Sequence, residues 1–188
     1  MPPKSPEAYR SLSPDELRRL WRMSSRTRGT DPPRVVEYDQ VISAKSIDGL
    51  FGGKNAFILF YPAVESEGAL MGHYVALVLG THEGKKTIYF ADSYGDLPDS
   101  QKENADPRLY RRERSNTLLK LFLDSGYDVD YNHHALQSSL VGVATCGRWA
   151  LWRCENADLT NDQFAQLAKF GASRLKQTLD DTAVAYWP

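Results

Sequence analysis

Two apolar runs constrain this chain more than any other feature: His73–Leu79 and Thr87–Asp92, separated by the polar, glycine-containing stretch Gly80-Thr81-His82-Glu83-Gly84-Lys85-Lys86. Short β-forming runs flanking such a stretch predict a β-hairpin. His73 and Asp92 lie symmetrically about the middle of the connection, so the pattern predicts them as directly opposed neighbours, with Cβ atoms about 4.5–5.5 Å apart. Parity agrees, because His73, Val75, Leu77 and Leu79 share one face, as do Ile88, Phe90 and Asp92. A slip of one residue would turn Asp92 to the other face.

The elements around the hairpin are legible in outline. Ala56–Tyr61 is apolar on both faces and predicts a strand inside a sheet. Ahead of it, Ser46 caps a short helix through Phe51 that ends at Gly52-Gly53. Downstream, Tyr94–Pro107 predicts a surface stretch bordering a cleft. Ser115 is expected to cap a helix bearing Leu118, Leu119, Leu121, Phe122 and Leu123 and stopping at Gly126, followed by a strand over Tyr127–Tyr131. A helix is expected from Thr145 to about Asn156, and Thr160 with Gln163 forms a capping box ahead of a long helix carrying Phe164, Leu167, Phe170, Leu175 and Leu179. This order predicts an α+β fold, a small central mixed or antiparallel sheet flanked by helices.

Residues 1–34 differ from the rest, being rich in Pro and in Lys and Arg. They predict a basic arm with one short helix, begun by Ser13-Pro14-Asp15-Glu16 and docking through Leu17, Leu20 and Trp21 while Arg18, Arg19 and Arg22 face water. Residues 35–188 form the expected main domain. The 188 residues carry a formal net charge of −1, so no overall field draws in nucleic acid or a membrane surface. No apolar run approaches the roughly 18–20 residues of a membrane span, and the first residues hold no apolar targeting segment. The expectation is a soluble intracellular protein without membrane contact.

Cys146 and Cys154 lie in one predicted helix, about 12 Å apart along its axis, too far for a disulfide. Thr145-Cys146-Gly147-Arg148-Trp149 places Cys146 at or next to the helix N-terminus, where unpaired amides and the helix dipole favour a thiolate. A neighbouring imidazolium favours it further. Gly147 leaves room for a close backbone approach. Gln137, upstream across a loop, can return beside the thiol and, with the Cys146 backbone N–H, offer donors to an oxyanion. Cys154 is expected to be a packed thiol. His133-His134 together with Cys146 and Cys154 lacks the spacing of a metal site, so no metal is expected. Arg108, Arg111, Arg112 and Arg114 cluster around Tyr110, a set that suits either a solvated turn or a nucleic-acid backbone.

Taken together, Gly72-His73-Tyr74-Val75, then Tyr89-Phe90-Ala91-Asp92-Ser93-Tyr94-Gly95, then Leu136-Gln137, then Thr145-Cys146-Gly147-Arg148-Trp149 resemble the adenain and Ulp1-like cysteine proteases, in chain order and local context. The resemblance spans about Val35 to Arg153. Thr-Cys-Gly-Arg-Trp looks more like the viral capsid-maturation branch than the cellular one. Tyr74 stands where the family usually has Trp, and the Gln137-to-Cys146 interval is longer than in cellular members. The resemblance implies a papain-like arrangement and a thiol endopeptidase in which His73, Asp92 and Cys146 form the triad and Gln137 serves the oxyanion hole. It also implies a protein substrate, a viral capsid or core precursor, with small residues before the cut and Tyr74 lining the cleft. Its location would be the virion or assembly site. The chemistry requires no cofactor, although some viral relatives are activated by DNA or a peptide. The alternatives are a protease for ubiquitin- or SUMO-like modifiers, an acetyltransferase on the same triad, and a non-catalytic nucleic-acid-binding module using the basic arm and the Arg108–Arg114 cluster.

Overall fold

The computed structural model describes residues 1–66, 69–110 and 117–188. Five strands form one mixed sheet in chain order: β1 (Arg34–Glu37), β2 (Ala56–Ser66), β3 (Ala69–His82), β4 (Lys85–Ala91) and β5 (Asp128–Tyr131). The two outer pairings, β1 with β2 and β4 with β5, are parallel, and the two inner ones are antiparallel. This is the α+β architecture expected, with helices on both faces.

Strict alternation along the inner strands builds both faces. Phe57, Leu59, Tyr61, Val75, Leu77, Ile88 and Phe90 point to one side, where they meet α2 (Tyr38–Ser43), α3 (Ile47–Phe51) and α4 (Leu118–Ser125). Ile58, Phe60, Tyr74, Ala76, Val78 and Tyr89 point to the other and pack on α1 (Pro14–Met23), α5 (Cys146–Glu155), α6 (Asn161–Leu175) and α7 (Leu179–Tyr186). Each large apolar side chain fully buried in this way contributes about 1.5–3 kcal/mol.

The hairpin forms, with a different closure from the one expected. Its connection is only Glu83-Gly84, both at positive φ (48° and 80°), and His82 pairs with Lys85. Those angles suit the tight two-residue turn whose twist matches paired strands. Gly80, Thr81, Lys85 and Lys86 therefore belong to the ladder, and the register moves. The Ala76↔Ala91 pairing puts Asp92, just past the end of β4, level with Val75 rather than His73. A shift of two keeps the parity, so His73 and Asp92 stay on one face as diagonal neighbours.

Other boundaries also move. Thr117, not Ser115, caps α4, its hydroxyl accepting from the Lys120 amide; Ser115 lies outside the described residues. A helix absent from the sequence reading, α2, begins after Glu37, whose backbone N–H donates to Gln40 Oε1 in the first turn at 3.0 Å. The long C-terminal helix is two helices: Lys176 takes the left-handed conformation (φ 54°), and Thr178 caps α7, its hydroxyl accepting from the Asp181 amide. Phe170 and Leu175, expected on the packed face, are exposed. The capping boxes of α1 and α6 are both present, as their sequences predict.

The N-terminal segment runs across the face that carries α5. Leu12, Leu17 and Trp21 are buried, Trp21 stacks on Trp187 with centroids 5.8 Å apart, and the Ala144 amide donates to Ala8 O at 2.8 Å. Among the described residues no helix is long and apolar enough to cross a membrane.

Candidate active site

Gly72 sets the start of the site. It faces Pro62 beside an irregularity in the β2–β3 ladder, and a Cβ there would lie 2.0 Å from Tyr61 O. Only glycine lets β3 come this close to β2 immediately before His73. His73 and Asp92 are both buried, and His73 Nε2 lies 3.1 Å from Asp92 Oδ2. That contact leaves Nδ1 for a second partner.

Asp92 is held from every side. Its Oδ1 accepts the Tyr94 backbone N–H at 2.7 Å, and its Oδ2 accepts Gln101 Nε2–H at 3.0 Å. Its carbonyl accepts from Asn132 Nδ2 at 2.6 Å. Gln101 and Asn132 escaped the sequence reading, because each is a lone amide in a polar stretch with nothing local to mark its partner. The Tyr94 ring stacks on the His73 ring, with centroids 4.9 Å apart and planes 21° apart.

Cys146 opens α5, and its thiol lies near enough to the His73 ring for each group to act on the other's charge. Burial alone would weaken both charges. For His73 the carboxylate of Asp92 and then the thiolate outweigh burial and hold the imidazolium well above its ordinary range, to about 10. For Cys146 burial likewise opposes the charge, yet the His73 imidazolium and the backbone amides of Tyr74 and Gly147 hold the thiol below its ordinary value. Each group therefore favours the charged form of the other. Cys154 contrasts with Cys146: burial outweighs the nearby Arg153 guanidinium and pushes this packed thiol up to about 12.

No protein-family model matches the chain. It is 28% identical over 151 residues to the uncharacterized protein V9 of Sputnik virophage, across 78% of this chain and 81% of V9. Among solved structures it is similar to the ASFV pS273R protease, with a TM-score of 0.40 and 14% identity, covering 88% of this chain and 69% of that one. It is also similar to the Legionella pneumophila effector protein RavZ, with a TM-score of 0.41 and 13% identity, covering 98% and 67% of the two chains.

Gln137, expected beside the thiol, is held against Ser93 and Tyr94. Its Oε1 accepts Ser93 Oγ–H at 2.9 Å, and its Nε2 donates to Tyr94 Oη at 3.0 Å and to Val143 O at 3.1 Å. The loop from Gln137 to Cys146 is fastened by Asp180, which accepts the Ser138 amide at 3.0 Å and the Thr145 hydroxyl. Thr145 thus commits its hydroxyl to α7 and does not cap α5 with it. Gly147 admits side chains where a backbone approach was expected, since a Cβ there would meet Leu17 at 3.0 Å and Tyr74 at 3.4 Å.

Cys146 and Cys154 do not meet His133 and His134. Those two imidazoles instead gather with Asp162, His134 Nε2 lying 2.9 Å from its Oδ1, and they form the one group among the described residues close enough to share an ion. Lys169 Nζ sits 3.3 Å from His134 Nδ1 and brings a positive charge to the same place. Arg108 pairs with Asp106; Arg111, Arg112 and Arg114 lie outside the described residues.

Proposed function

We propose that this protein is a cysteine endopeptidase. The observation that carries the reading is the buried cluster of Asp92, His73 and Cys146: a carboxylate on Nε2 of the ring, and beside that ring a thiol held below its ordinary pKa at a helix N-terminus. In this reading Cys146 Sγ attacks the scissile carbonyl as thiolate, His73 carries the proton and gives it to the leaving amine, and Asp92 fixes the ring and its charge. The Cys146 backbone N–H is one donor to the developing oxyanion. Water then frees the acyl group, with His73 taking its proton.

The exposure of the two reacting residues supports a restricted substrate. Cys146 is 7% and His73 8% exposed, so only a slender chain reaches the sulfur, consistent with small residues such as glycine before the cut. The likeness to a virophage protein supports a viral context, and with it a viral structural precursor as substrate. The test is processing: co-expression with precursor proteins of the same genome, comparing the native chain with Cys146→Ala. Cleavage lost in the variant is expected; processing that persists without the thiol overturns the reading. Incubation with ubiquitin- or SUMO-type C-terminal amides separates a modifier protease, and acetyl-CoA-dependent labelling of Cys146 separates a transferase.

A further inference from the structure

Thiolate attack on a carbonyl leaves a full negative charge on the former carbonyl oxygen, which needs donors already in place. This inference rests on the endopeptidase reading and asks which side chain supplies that donor. Gln137 is poorly placed to do so. It is buried, and both hydrogens of its amide are committed, to Tyr94 Oη and to Val143 O. Turning the one on Val143 O toward substrate would strand a buried acceptor, at a cost of about 1–3 kcal/mol, and turning the other would release the half-buried Tyr94 hydroxyl.

Tyr94 is differently situated. Its oxygen accepts from Gln137, which leaves its own O–H without an acceptor among the described residues. Its ring lies flat against His73, and its backbone amide holds Asp92. Burial first, then the nearby Cys146 thiolate, pushes the phenol up to about 12, so it keeps its proton at neutral pH and can donate it in a hydrogen bond. An N–H received on the oxygen also polarises the O–H that remains.

We propose that the Tyr94 hydroxyl is the side-chain donor to the oxyanion, and that Gln137 is the positioning residue that aims it. When Cys146 Sγ bonds to the carbonyl carbon, the C=O π pair moves onto oxygen, where the Tyr94 O–H and the Cys146 N–H hold it. When the pair returns, the bond to the leaving group breaks.

Two reagents isolate this step. p-Nitrophenyl acetate acylates Cys146 through a tetrahedral oxyanion and releases p-nitrophenolate as the anion, whereas iodoacetamide alkylates the same sulfur by displacement of iodide without adding to a carbonyl. Tyr94→Phe keeps the ring and the backbone contact and removes the hydroxyl. The expected result is a loss of about 10²-fold in the acylation burst with alkylation within twofold of the native chain. Gln137→Ala should slow acylation in the native background and add little once Tyr94→Phe is present. Three outcomes overturn the proposal: acylation by the Phe variant within threefold of native, acylation and alkylation falling together, or a Gln137→Ala loss that is the same in both backgrounds. A native Cys146 that gives no burst and alkylates no faster than an ordinary thiol overturns the endopeptidase reading itself, and this proposal with it.

Discussion

His73 and Asp92 meet on the diagonal of the hairpin, two register positions from direct opposition, and still place Nε2 3.1 Å from Oδ2. Asp92 lies just past the last paired residue of β4, where the chain turns away from the ladder. Its carboxylate is therefore free to accept the Tyr94 amide and the Gln101 side chain as well as the ring. A carboxylate so restrained orients the imidazole and stabilises its charge.

Asp92→Asn tests that role. Asn retains the size of the carboxyl group but loses the charge that holds the imidazolium up, so the thiolate loses its counterion. Cys146 alkylation at pH 7 should fall about tenfold and the pH midpoint of alkylation should rise, while circular dichroism stays native. An unchanged alkylation rate would show that Asp92 does not govern the thiol.

The pH profile follows from the two shifts. The thiol is held below its ordinary value of 9.0 and the imidazolium is raised to about 10, so the ion pair persists from the lowered thiol value up to about pH 10. Alkylation should rise with pH through a midpoint below that of Cys154 and of ordinary thiols, then stay level. Proteolysis needs the imidazolium as acid, so it should share the acidic limb and decline again as His73 loses its proton near pH 10. A single alkylation midpoint at the ordinary thiol value of 9.0 would contradict the ion pair.

Gly72 and Gly84 give a paired test of backbone approach. An added Cβ at Gly72 would lie 2.0 Å from Tyr61 O, so Gly72→Ala must push β3 off β2 beside His73. The expected cost is about 1–3 kcal/mol, with a slower Cys146. At Gly84 nothing lies within 4 Å, and only its φ of 80° resists a side chain. Gly84→Ala should cost about 1 kcal/mol and leave alkylation unchanged. Urea unfolding monitored with alkylation separates the two.

What could be read from residues alone was local. Caps at Ser13, Ser46 and Thr160, the hairpin, and the helix start at Cys146 all depend on neighbours within a few positions, and each formed. The register did not, because Gly80, Thr81, Lys85 and Lys86 are polar enough to pass as a loop, whereas the two-residue turn at Glu83-Gly84 draws them into the ladder. The break after α6 was hidden because Lys176, not glycine, takes the left-handed position. The supports of the site were hidden for another reason. Asn132 and Asp180 act across 40 or more residues on Asp92 and on the Gln137-to-Cys146 loop, Gln101 reaches Asp92 across a nine-residue stretch with no regular pattern, and one polar residue in a polar stretch carries no sign of such a partner.

The N-terminal segment offers the last test, since its sequence suggests an appended arm while its side chains enter the core. Leu17 is buried against Gly147, one residue from Cys146, and Trp21 stacks on Trp187. Arg148 donates Nη1–H to Arg10 O at 3.0 Å and Nε–H to Trp187 O at 2.9 Å, so α5 is tied to both ends of the chain through a buried guanidinium. Leu17→Ala empties a site in contact with the first turn of α5 and should cost about 2–5 kcal/mol. Arg18, Arg19 and Arg22 lie outside that buried contact on the same helix, so replacing all three by Gln should change stability by less than about 1 kcal/mol. If the segment were a detachable arm, Leu17→Ala would leave urea unfolding unchanged; a loss confined to Leu17 instead makes α1 part of the platform that holds Cys146.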